Sequence, residues 1–160
     1  MEGVFLLTGS NLGDRIAHLQ SAAQQIEQAC GKILRQSSFY QTAAWGKVDQ
    51  PDFFNQVLEI TTSLSPEALL RSVLTIEQQL GRIRKEKWGE RSIDIDILYY
   101  GSQIVEVAEL SIPHKGIASR RFVLSPLNEI APDFIHPVLL LSNQALLAAC
   151  TDPLSVERLP

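Results

Sequence analysis

The sequence predicts an α+β fold, a ferredoxin-like βαββαβ antiparallel sheet with helices on one face and C-terminal additions. Three observations carry that prediction. Segments of two-residue and 3.6-residue hydrophobic period follow one another as strand, helix, strand, strand, helix, strand, which is the split βαβ order. Both helical segments begin at capping residues. The segment Ser92–Tyr100 alternates apolar and acidic residues as a half-buried strand does. No internal repeat, low-complexity run or linker divides the chain, so its 160 residues read as one domain, 1–160.

Val4 to Thr8 reads as a buried strand, and Gly9-Ser10-Asn11-Leu12-Gly13-Asp14 as a turn in which Asn11 or Asp14 caps the next helix. Ile16, Leu19, Ala23, Ile26 and Cys30 then recur at spacings of three and four, one face of a helix that Gly31 ends. Ile33 to Tyr40 is predicted as the second strand, Gln41 to Asp52 as a loop, and Phe53 to Thr62 as the third strand, with Phe53, Asn55, Val57 and Glu59 facing one way. Ser65-Pro66-Glu67 is a helix start: a cap, a proline in the first turn and an acid suited to the helix dipole. Leu69, Val73, Ile76 and Leu80 form that helix's apolar stripe. After the strand Ser92–Tyr100, Gly101-Ser102 turns the chain and Gln103 to Val107 is expected to pair back. Ile112-Pro113-His114 opens a loop, Ser119 to Ile130 carries a helical signal with Pro126 inside it, and Asn143 to Cys150 reads as a short helix.

Hydrophobic residues make up 45% of the chain and charged residues 20%, with a formal net charge of −4. An acidic chain of this kind is not expected to bind nucleic acid or membrane surfaces generally. Cys30 falls on the apolar stripe of the first helix, which favours a buried thiol over a disulfide with the distant Cys150. The N-terminus lacks a signal-peptide pattern and no apolar run reaches membrane-spanning length, so a soluble, cytoplasmic protein is expected, with monomer as the default state.

The chemistry concentrates around Ile93-Asp94-Ile95-Asp96-Ile97. Asp94 and Asp96 share one face of the strand and the isoleucines the other. Adjacent carboxylates repel unless a cation or basic groups stand between them. Such a pair suits Mg²⁺, which takes few protein carboxylates and fills its shell with water and substrate phosphates. Immediately upstream, Arg82 to Arg91 holds five basic residues against two acidic ones. Positive charge beside paired carboxylates is the arrangement a metal-bound polyphosphate requires. No Gly-rich phosphate loop is present, so phosphate binding rests on arginines and metal.

Four further segments accompany it: Ser37-Ser38-Phe39-Tyr40-Gln41-Thr42, Gln50-Pro51-Asp52-Phe53-Phe54-Asn55, Ile112-Pro113-His114 and Arg120-Arg121-Phe122. Each is weak alone. In this order, with Gly9–Asp14 before them and the Arg-x-Arg-Lys and Trp-Gly-x-Arg-x-Ile-Asp-Ile-Asp stretch between, the chain resembles the 6-hydroxymethyl-7,8-dihydropterin pyrophosphokinases of folate biosynthesis, from Gly9 to about Pro137.

The resemblance implies a ferredoxin-like fold and transfer of pyrophosphate from ATP to the hydroxymethyl oxygen of 6-hydroxymethyl-7,8-dihydropterin, with AMP released. It implies that Asp94 and Asp96 hold two Mg²⁺ ions and that Arg82 and Arg91 bind phosphate oxygens. Arg84 and Trp88 would lie on a loop that closes over both substrates. Glu77, Ile97, Ser111, His114, Lys115 and Arg120 would complete the ATP site. On the pterin side, Phe53 and Phe122 would sandwich the ring, Asn55 would read its donor and acceptor edge, and Thr42, Ala43 and Trp45, with Trp88 and Asp94, would complete the pocket.

Departures from the family pattern are visible. Thr42-Ala43-Ala44 stands where many members have Thr-Pro-Pro, Phe53 lacks a hydroxyl often present there, and Glu109 and Lys115 replace an arginine and an aromatic residue of some members. Two rival readings are disfavoured. A nucleotidyltransferase would place a Gly-Ser turn shortly before the Asp pair, whereas Gly9-Ser10 lies far upstream and Gly101-Ser102 follows it. An RNA-binding sheet would carry a basic, aromatic signature that the chain lacks.

Overall fold

The computed structural model describes residues 1–43, 51–81 and 92–160. Strand β1 (Val4–Ser10) leads to helix α1 (Arg15–Ala29), whose cap is Asp14: its carboxylate accepts the Ala17 N–H at 3.1 Å. Next come β2 (Lys32–Gln36), β3 (Tyr40–Thr42) and β4 (Phe53–Thr61). Helix α2 (Pro66–Gln79) starts as its sequence implies, with the Ser65 hydroxyl accepting the Ala68 N–H at 3.2 Å. Strand β5 (Asp94–Tyr100) precedes a hairpin of β6 (Val105–Val107) and β7 (Leu110–Ile112). Helices α3 (Arg121–Ile130) and α4 (Asn143–Ala149) and a last strand, β8 (Val156–Arg158), complete the chain.

The main sheet runs β5-β1-β4-β3-β8, with β2 also paired to β4, and every pairing is antiparallel. Counting β2 and β3 together as one strand, this is the ferredoxin-like order. Leu19, Ala22 and Ile26 of α1 and Leu69, Val73 and Ile76 of α2 pack on one face, against Val4, Leu6, Leu58, Ile60, Ile95 and Ile97. The C-terminal additions cover the other face: Val123, Leu124, Leu127 and Ile130 of α3 and Leu146 of α4 meet Phe5, Leu7, Val57, Leu98 and Tyr99. A sheet covered on both faces explains why β1 is buried throughout and begins with the unbroken apolar run Val4-Phe5-Leu6-Leu7 rather than an alternation.

Several elements depart from the sequence reading. Gly9 and Ser10 belong to β1, paired to Asn55 and Phe54 of β4, not to the turn. The predicted strand Ile33–Tyr40 is broken in two. Three residues, Ser37 to Phe39, oppose two on β4 between the pairs Gln36–Leu58 and Tyr40–Asn55. The Ser37 hydroxyl takes up the disrupted ladder by accepting the Val57 N–H at 2.9 Å. Gly31 follows the first helix, but its φ is not positive. A Cβ there would sit 1.9 Å from the Thr61 carbonyl oxygen, so glycine is needed for close backbone approach rather than for a left-handed turn. Residues 105–107 pair with β7 and not with β5. Strand β8, which has no distinguishing pattern in the sequence, extends the sheet beyond β3. Neither cysteine is in a disulfide, and Cys30 is a buried thiol donating to the Ser72 hydroxyl at 3.3 Å.

Candidate active site at the open end of the second face

Strand alternation and register decide which side chains meet. On β5, Ile95 and Ile97 enter the first core, so Asp94 and Asp96 point to the second face. Asp96 lies opposite Leu7, and Asp94 opposite Gly9. Gly9 is opposite Asn55 on its other side, and Asn55 is opposite Tyr40. One row across four strands therefore reads Asp94, Gly9, Asn55, Tyr40. The pair Phe53–Thr42 stands beside this row on the same face.

The alternation ends at Leu98. Phe5 pairs with Tyr99 and Leu6 with Ile97, so Leu98 is an extra residue, a β-bulge. Leu98 and Tyr99 both enter the second core, and Tyr100 returns to the first. The bulge separates the carboxylate end of β5 from its closed, apolar end.

Of the described residues of the expected pterin pocket, Thr42, Phe53, Asn55 and Asp94 share the second face. Asn55 and Thr42 are buried, Phe53 is half-buried, and Phe122, at the start of α3, packs against the second core. Ala43 follows at the exposed end of β3. The Thr42 Oγ1 is buried without a hydrogen-bond partner among the described residues, as expected of a polar atom reserved for a ligand. The start of β4 is tied down from α1: the Arg15 guanidinium donates to the Asp52 carbonyl at 2.7 Å and lies 3.8 Å from the Phe54 ring centre, while the Asn11 carboxamide donates to the Pro51 carbonyl at 3.2 Å.

His114 stands beside the acidic pair. Its Nε2 is 4.0 Å from Asp96 Oδ1, and its Nδ1 accepts the Gly116 N–H at 2.9 Å. Burial, reinforced by the Arg120 charge, holds the ring's pKa below its ordinary value against the opposing pull of Asp94. The imidazole is therefore neutral near pH 7, and its contact with Asp96 is a polar approach rather than an ion pair. Arg120 packs over Gly116 on the same loop.

Other expected site residues have contacts within the protein. Glu77 is buried in α2, where its carboxylate accepts the Ile95 N–H at 2.7 Å. The Ile97 side chain is in the first core, so its main chain alone is left to meet a ligand. Ser111 donates to Glu106 at 2.5 Å, and Lys115 lies 3.7 Å from the same carboxylate. Glu109 is exposed in the β6–β7 turn. Trp45, Arg82, Arg84, Trp88 and Arg91 lie outside the described residues.

Two features of the site escape the sequence reading. The turn signal of Gly9–Asp14 hides the place of Gly9 in β1, although a glycine in a strand interior is itself a sign of close approach. Glu129 of α3 binds Ser38 and Tyr40, at the head of β3, a contact across the second face that no local pattern announces.

The Asp94 and Asp96 donor set suits Mg²⁺, a hard cation that takes few protein carboxylates and fills its other positions with water or phosphate oxygens.

Residues 5–132 match the family described as 7,8-dihydro-6-hydroxymethylpterin-pyrophosphokinase. The chain is 43% identical over 136 residues to the 2-amino-4-hydroxy-6-hydroxymethyldihydropteridine pyrophosphokinase of Synechocystis sp., covering 84% of this chain and 69% of that protein. It is 41% identical over 138 residues to the Aquifex aeolicus protein of the same name, covering 86% of each. The Plasmodium falciparum HPPK-DHPS crystallised with pteroate matches the fold with a TM-score of 0.76 at 18% identity. That match covers 91% of this chain and 42% of the larger one.

Proposed function

The chain belongs to the 7,8-dihydro-6-hydroxymethylpterin-pyrophosphokinase family, and from that membership we propose how its residues divide the work. The reaction is pyrophosphoryl transfer from ATP to 6-hydroxymethyl-7,8-dihydropterin in folate biosynthesis. The whole chain, 1–160, acts as one pyrophosphokinase domain, as a monomer in the cytoplasm. No helix among the described residues is long and apolar enough to cross a membrane.

The observation that carries the site assignment is that Asp94 and Asp96 share a sheet face with Thr42, Phe53 and Asn55. Metal-bound phosphates and a flat ring can then lie side by side. Asp94 and Asp96 would hold Mg²⁺, two ions by the family resemblance, and the metal would supply charge neutralisation at the phosphates and a lower pKa at the hydroxymethyl group. Asn55 and Thr42 fix the ring edge, and Phe53 and Phe122 its faces, aiming the hydroxymethyl oxygen at the β-phosphorus. The new O–Pβ bond forms as the bond from Pβ to the bridging oxygen of AMP breaks. Arg82, Arg91 and Arg120 take phosphate oxygens through planar guanidinium groups. Neutral His114, with Ser111, Lys115 and the Ile97 main chain, borders the nucleotide, while buried Glu77 acts on that strand through the Ile95 N–H. The family resemblance gives Arg84 and Trp88 the role of shielding bound substrates from water, the rival acceptor. Ala43 and Trp45 line the pterin edge.

The test is chromatography of the nucleotide products formed from ATP, Mg²⁺ and the pterin. AMP that appears only with pterin supports this reaction. ADP, pyrophosphate or no turnover by folded protein would discard it.

A further inference from the structure

Gly9 lies between the two halves of the site, opposite Asp94 on one side and Asn55 on the other. Adjacent strands are about 4.8 Å apart, so Asp94 and Asn55 are separated by two strand spacings, about 10 Å, with β1 between them. A side chain at position 9 would rise on the same face and fill that gap. The structure leaves no room for one. A Cβ on Gly9 would stand 2.6 Å from Asn55 Oδ1, 3.7 Å from Asn55 Cγ and 3.7 Å from Phe53 Cδ1. The Asn55 carboxamide oxygen thus leans over the bare Gly9 backbone, and a Phe53 ring atom lies beside the same space.

The φ of Gly9 is not positive, so no left-handed conformation calls for glycine here. Space is the reason for it. The atom in the way is the tip of a side chain rather than backbone, so a methyl group at position 9 can be admitted by turning Asn55 aside, with the sheet intact.

Resting on the reading of Asn55 as the group that recognises the ring, we propose that Gly9 is a specificity-determining, positioning residue. Its missing side chain is the floor that lets the Asn55 carboxamide lie flat at a set distance from Asp94. The site thereby accepts a planar bicyclic heteroaromatic compound whose alcohol arm spans toward the carboxylates. Gly9 acts through Asn55 and makes no chemical contribution of its own.

The test is Gly9→Ala, alone and combined with Asn55→Ala. Affinity for 6-hydroxymethyl-7,8-dihydropterin is measured by calorimetry with Mg²⁺ and a non-transferable ATP analogue present, and KM and kcat by AMP formation. Displacing a recognition group by about 1 Å costs on the order of 100-fold, so kcat/KM for the pterin should fall by about that factor while KM for ATP stays within about twofold. In the Asn55→Ala background, Gly9→Ala should add less than about a twofold further loss, because the displaced group is already absent. A Gly9→Ala enzyme with wild-type pterin affinity overturns the inference, as do losses that simply multiply in the double variant. If both Gly9→Ala and the double variant fail to fold, the backbone and not Asn55 demands the glycine, and the inference also falls. A wild-type protein that binds no pterin sinks the functional reading itself, a result separable from all of these.

Discussion

The Glu77 carboxylate accepts the backbone N–H of Ile95 at 2.7 Å, from a side chain only 3% exposed. Ile95 is the residue between Asp94 and Asp96, so a buried acid on α2 braces the strand that presents both carboxylates. Glu77→Ala removes the acceptor and leaves a buried N–H unpaired, at a cost of about 1–3 kcal/mol. The expected result is a lower unfolding midpoint together with a raised Mg²⁺ requirement for turnover. Glu77→Gln keeps an acceptor oxygen and should recover most of the midpoint. An unchanged Mg²⁺ requirement in the alanine variant would show that the brace does not reach the acidic pair.

Asp96→Asn removes one charge from the site while preserving shape. Asp96 is half-exposed and outside both cores, so the variant should unfold at nearly the wild-type temperature and lose nearly all AMP formation. Turnover close to wild type would refute its metal role.

Glu129 ties α3 to the head of β3. It accepts the Tyr40 hydroxyl at 2.6 Å, the Ser38 N–H at 3.1 Å and the Ser38 hydroxyl at 3.0 Å, with the Arg158 guanidinium 3.6 Å away. Burial alone would raise its pKa, but these donors together with the Arg158 charge outweigh it and hold the carboxyl below its ordinary 4.5. A depressed folded-state pKa gives stability that is present above the unfolded value and lost as pH falls through the folded one. Wild type should therefore melt above Glu129→Gln at pH 7, and the gap should close below pH 4.5. A gap that is constant from pH 7 to 3 would mean that the charge of Glu129 plays no part.

Gly31→Ala should be among the most damaging small substitutions, because the new methyl would meet the Thr61 carbonyl at 1.9 Å, and Thr61 is locked in β4. Overpacking of this kind costs about 1–3 kcal/mol or more, measurable by chemical denaturation. A loss below about 0.5 kcal/mol would show that the α1–β2 junction yields easily.

Elements whose cause is local were legible before the structure. Asp14 and Ser65 cap their helices through side-chain oxygens a few residues from the N–H groups they accept. The opposed faces of Asp94 and Ile95 follow from the pleat of one strand. The segments that converge on the second face were identifiable as motifs because each is contiguous.

Other features depend on partners far away in the chain. Glu77 could be a surface acid or a buried brace until Ile95 is placed against it. Gly31 reads as a helix terminator until Thr61 approaches. Strand β8 exists because β3 offers it an edge, and the Leu98 bulge because β1 has one residue fewer to pair. By itself, the sequence determined the order of elements, the helix caps and the acidic face of β5, since period and capping act within a few residues. Tertiary structure alone decided the break between β2 and β3, the covering of the second face by α3 and α4, and the row from Asp94 through Gly9 to Asn55. Register between distant strands is set by packing and backbone hydrogen bonding across the whole sheet.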